Sequence, residues 1–165
     1  MIHDLKGWIH TVAAVAAMAF GAVVFLRPKG GPVHRFLGYA YSLCMLVLIA
    51  TSFSIYRLTG GFNFLHGASI MSSIGVAFGF AHAFLRRPRN SWILRHFFFM
   101  SWSYIGLLAA FVAEISTRVA MPYVARRFGS GSLLPFWCIV ALATAIVVAV
   151  GWRLVNQNRP PLSTA

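Results

Sequence analysis

Acidic side chains are almost missing from this chain: Asp4 and Glu114 are the two in 165 residues. Charged residues of both signs reach only 10%, too few to coat a soluble globule of this size. The shortage also removes the paired carboxylates of general acid–base hydrolysis. Cysteine is scarce too. Cys44 and Cys138 stand far apart, so there is no close-spaced redox or zinc pair, and each suits a buried apolar place. No glycine-rich phosphate loop and no nucleophile–base arrangement is present, so nothing points to a hydrolase.

What the chain does have is apolar length. Hydrophobic residues make up 59%, gathered in five runs: Trp8–Leu26, Phe36–Tyr56, Phe64–Leu85, Phe97–Val119 and Leu133–Val155. Each is near the roughly 20 residues that cross a ~30 Å hydrocarbon core as a helix. The pattern predicts an all-α, five-helix transmembrane bundle, with residues 1–155 as one domain and 156–165 as a short disordered tail. The lead Met1–Gly7 has no basic leader and no small-residue cleavage site, so the first run reads as a retained span.

A net charge of +12 suggests nucleic acid at first sight. The cations instead sit in the short joints, as in the positive-inside pattern. One side of the membrane holds nine: Arg27, Lys29, Arg35, Arg86, Arg87, Arg89, Arg95, Arg153 and Arg159. The other holds five: Lys6, Arg57, Arg118, Arg126 and Arg127. This predicts the N-terminus outside, the C-terminus cytoplasmic, and the lipid bilayer as the partner in place of nucleic acid.

Turn residues punctuate the joints: Pro28 to Pro32, Gly60-Gly61, and Arg86 to Asn90. The longest joint is expected over Ala120–Leu134, which contains Pro122, Gly129, Gly131 and Pro135. Small residues mark helix contacts: Ala13, Ala14, Ala17 and Gly21 in the first span, Gly75 and Gly79 in the third, Gly106 and Ala110 in the fourth. Gly75 and Gly79 serve close packing within one chain, or a homo-oligomer. Spans two and five, rich in Leu, Val and Ile, are expected toward lipid.

Ionisable groups at membrane depth are costly and mark interior faces or ligand sites. Here they form two layers. His10, His66 and Glu114 lie on the outer side, with Arg118 one turn after Glu114. His34, His82 and His96 lie on the inner side. His96 and Glu114 are eighteen residues apart, about five helical turns, and so share a face. His66 and His82 point about 160° apart, which makes the third span the expected hub.

Three readings follow. In the first, histidines hold b-type haem in a transmembrane electron-transfer protein with a membrane redox partner. His10 pairs with His66, and His82 pairs with His96 or His34, with Tyr39, Tyr41, Trp102 and Tyr104 nearby. In the second, His10, His66 and Glu114 bind a metal ion or carry protons in a transporter. In the third, the histidines satisfy helix ends, Glu114 and Arg118 form a structural ion pair, and the chain is an accessory subunit of a membrane complex.

Several strings are familiar. His34-Arg35-Phe36-Leu37-Gly38-Tyr39-Ala40-Tyr41 resembles the HR-x-x-G-x-x-Y start of the second span in an uncharacterised bacterial membrane family, domain of unknown function 2306. Ile55 to Phe62 followed by His66 resembles its next joint. His96-x-x-x-Met100-Ser101-Trp102-Ser103-Tyr104-Ile105-Gly106-Leu107, continuing through Ala109, Ala110 and Glu114 to Arg118, resembles its fourth span. His10 and Gly21 fit its first. The likeness covers roughly residues 8–120, and the fifth span carries no motif of it. It implies a multi-pass protein of the bacterial inner membrane and supplies no activity.

Overall fold

Five α-helices follow one another, with no strand among the described residues: α1 Leu5–Leu26, α2 Pro32–Ser52, α3 Phe64–Leu85, α4 Trp92–Phe128 and α5 Leu134–Gln157. The computed structural model describes residues 5–55, 61, 64–128 and 134–161, with the backbone alone at 64, 65 and 128. All five helices are long and apolar enough to cross a membrane. The Gly60-Gly61 turn and the joint glycines Gly129 and Gly131 fall wholly or partly outside the described residues.

Local chemistry sets the helix ends. Gly31, in an extended conformation, caps α2, and Pro32 takes the first helical position, where its missing N–H costs nothing. This places His34 in the first turn of α2, although the apolar run begins at Phe36. At the end of α1, Lys29 Nζ donates to the carbonyls of Val24, Phe25 and Arg27 at 2.7–2.8 Å. Those oxygens would otherwise face a helix end unpaired. Burial there pushes the Lys29 ammonium below its ordinary pKa. Arg86 ends α3 in the left-handed region, at φ 49°, with its N–H on the His82 carbonyl.

α4 differs most from expectation. It begins five residues before Phe97 and runs on through the expected joint to Phe128, with Pro122 inside it. Pro122 forfeits one backbone hydrogen bond. The turns around it stay helical because Ala120, Met121 and Val124 pack on Phe136 and Val140 of α5. At 37 residues α4 is about 55 Å long, well beyond the ~30 Å hydrocarbon core.

The helices pack in chain order. α1 lies on α2, α2 on α3 and α3 on α4, and α1 closes the ring against α4. α5 lies outside the ring, against α4. The hub is therefore α4 and not α3. On α4 the buried residues Ser101, Ser103, Ile105, Leu107 and Ala109 fall at every second position, which puts them on two opposite sides of the helix. α2 belongs to the ring, burying Tyr41, Ser42 and Met45, while α5 takes the peripheral place expected for both.

One core fills the ring: Ala17, Tyr41, Met45, Val76 and Leu107. A second, of Ala113, Val124, Phe136 and Val140, holds α4 to α5. Close approach depends on missing side chains. A Cβ on Gly79 would meet Met100 Sδ at 2.6 Å, and one on Gly151 would meet Ile105 Cγ1 at 2.6 Å. Gly75 lies 3.2 Å, by the same measure, from Ser103 Cβ. Gly75 and Gly79 thus face α4 of their own chain.

Candidate functional site

The ring places α2 and α4 on a diagonal. Their backbones make no close approach among the described residues. Side chains bridge the diagonal, and polar or ionisable groups meet across it at two levels. At one end the rings of His34 and His96 stand 6.3 Å apart, centroid to centroid, and nearly perpendicular at 88°. Seven residues further along both helices, the Tyr41 and Ser103 hydroxyls share a buried hydrogen bond of 2.8 Å. The interval between the two levels is about 10 Å.

The His96 tautomer follows from its partner. Nδ1–H donates to the Gly79 carbonyl at 2.8 Å, so Nε2 keeps its lone pair. His34 Nδ1 is buried and has no hydrogen-bond partner among the described residues. Lys29 lies within electrostatic range of His34, a neighbour that spacing along the sequence did not suggest. Two imidazoles on one metal, with bonds of about 2.0 Å, would hold their centroids roughly 6 Å apart. The His34–His96 separation matches that figure.

His82 is turned aside. Its Nδ1–H donates to the Arg87 carbonyl at 2.7 Å, and its ring stacks on Phe99 at 5.6 Å. It remains within electrostatic range of His96. Sequence spacing offered His82 as the first choice of inner ligand; the structure brings His34 and His96 together instead. His34 was harder to read because the turn that puts it on the helix depends on Gly31 and Pro32.

At the opposite end, His10 Nδ1–H donates to Thr51 Oγ1 at 3.0 Å. The Thr51 hydroxyl can only accept there, since its own hydrogen goes to the Val47 and Leu48 carbonyls. Thr51 is a partner that sequence reasoning missed. Glu114 and Arg118 lie within electrostatic range of His10. Arg118 Nε and the guanidinium nitrogen beside it both donate to one Glu114 oxygen, forming an ion pair along the helix. His66 is buried at 2% exposure, with its ring against Phe53 at 6.1 Å. Among the described residues no three of His, Cys, Asp and Glu gather as a ligand set. The expected His10, His66 and Glu114 metal site therefore has no geometric counterpart there.

The expected aromatic lining divides. Tyr41 belongs to the diagonal bridge, and Tyr104 donates to the Met18 carbonyl at 3.1 Å. Tyr39 lies against Phe80, and Trp102 against Phe98 and Trp152. Cys44 is half-buried and Cys138 exposed, both as free thiols.

Five apolar spans, four of them in a ring crossed by a polar diagonal, define a multi-pass helical membrane protein. The chain belongs to the predicted membrane protein family DUF2306, which it matches over residues 7–155. That match takes in α5, where no motif was legible. Comparison with curated proteins and with solved structures gives no match.

Proposed function

We propose that this chain is a small electron-transfer protein of the bacterial inner membrane, holding one haem b between His34 and His96. The observation that carries this reading is the 6.3 Å, perpendicular setting of the two imidazoles between helices whose backbones make no close approach. The hydrogen bond from His96 Nδ1 to Gly79 supports it, because it leaves Nε2 free and fixes the ring plane, as ligand histidines require. Bound there, haem supplies one-electron transfer. The protein's part is to orient the rings, to limit the depth of the site with the Tyr41–Ser103 bridge, and to place Lys29 and the basic joints beside it.

The excess of cations at this end supports a cytoplasmic side for it, with the N-terminus outside. The redox partner is then a membrane protein or a second copy of the chain.

The test is an absorption spectrum of detergent-purified protein from haem-replete cells, oxidised and then dithionite-reduced. Wild type should show a Soret band and sharp reduced α and β bands. His34→Ala and His96→Ala should each abolish the bis-histidine spectrum, while His66→Ala and Glu114→Gln retain it. A colourless wild-type protein would sink the proposal.

A further inference from the structure

The corner where α3 turns into α4 has a feature that the histidine pair does not use. Phe78, Ala81, His82 and Leu85 recur at helical spacing along one face of α3 and form the floor of an open pocket. Arg87, Pro88 and Arg89 form its rim. Phe78 and Leu85 are more than half exposed, so this floor faces the lipid region. From Phe78 to Leu85 it runs about 10 Å along the helix.

The rim is held in place. The Arg87 carbonyl accepts the His82 hydrogen bond, and the Pro88 carbonyl accepts the N–H groups of Ser91 and Trp92 at the start of α4. Both arginine side chains therefore spring from an anchored turn at the end of an apolar trough. We propose that this corner binds one anionic phospholipid, its acyl chain along Phe78, Ala81 and Leu85 and its phosphate between Arg87 and Arg89. Charge complementarity decides the occupant. Two guanidiniums at the polar end suit a phosphate by paired hydrogen bonds, and the apolar length behind them suits a hydrocarbon chain. His82 is then a positioning residue for the rim. The proposal is independent of haem.

The experiment is lipid binding to the full chain in non-ionic detergent, read by native mass spectrometry. The probes are phosphatidylglycerol and phosphatidylcholine with the same acyl chains. The paired variant Arg87→Gln/Arg89→Gln keeps both carbonyls of the turn. Arg27→Gln/Arg153→Gln removes the same charge from the same end of the bundle and is the control. Ala81→Phe fills the floor and leaves the charge alone. Phosphatidylglycerol should bind wild type and the control alike, and the Arg87/Arg89 pair roughly thirty-fold more weakly, from two lost phosphate contacts. Ala81→Phe should also weaken it, with helicity by circular dichroism unchanged in every variant. Equal loss in the control would overturn the site in favour of a diffuse basic rim. Equal binding of phosphatidylcholine, or displacement by inorganic phosphate alone, would overturn it as well.

Discussion

At the scale of single residues, the contact between α3 and α4 is the most sensitive point. A side chain at Gly79 meets Met100, and the Gly79 carbonyl also holds His96. Gly79→Val should lower stability by about 1–3 kcal/mol through overpacking and should disturb the His96 ring. Thermal unfolding in detergent reads the first effect, and an unchanged midpoint would show that α3 and α4 do not pack there. Tyr41→Phe removes one partner of a buried hydrogen bond and should cost about 1 kcal/mol by the same measurement. Glu114→Gln should change stability little, because its pair with Arg118 is half exposed and lies along one helix.

At the scale of elements, α4 raises the plainest question, since Pro122 sits inside a continuous helix. If packing against α5 alone keeps those turns helical, Pro122→Ala restores a backbone donor and should raise stability by up to about 3 kcal/mol, read as a higher unfolding midpoint. A lower midpoint would mean that the proline ring itself is packed. Phe136→Ala empties the centre of the α4–α5 core and should destabilise by about 3–5 kcal/mol. Four of the five helices were legible to within about five residues from hydropathy alone. The end of α4 was not, because proline and nearby glycines signal a break, while the packing that overrides them comes from a different helix.

For the whole molecule, the sidedness of the bundle is the open test. In a background without Cys44 and Cys138, Arg126→Cys should react with a membrane-impermeant thiol reagent on intact cells. Arg89→Cys should react only after the cells are broken. The reverse result would turn the proposed orientation over and place the histidine diagonal outside. The architecture also assigns roles that the chain order hides. α4 touches α1, α3 and α5, so disturbing it reaches the ring core and the α4–α5 core together.

Sequence by itself determined the solvent of this protein, the number of helices and the family. Five apolar runs have one stable solution in a bilayer, where each backbone must satisfy its own hydrogen bonds. It also marked the histidines at membrane depth, because an ionisable group in apolar sequence is conspicuous. It did not say which histidines meet. His34 and His96 lie on different helices, and their pairing depends on α2 and α4 taking opposite corners of the ring. That order is set by close contacts such as Gly79 on Met100, Gly21 beneath Tyr104 and Gly151 on Ile105. Such contacts are matters of shape, and helix periodicity carries no information about which neighbour a face will find.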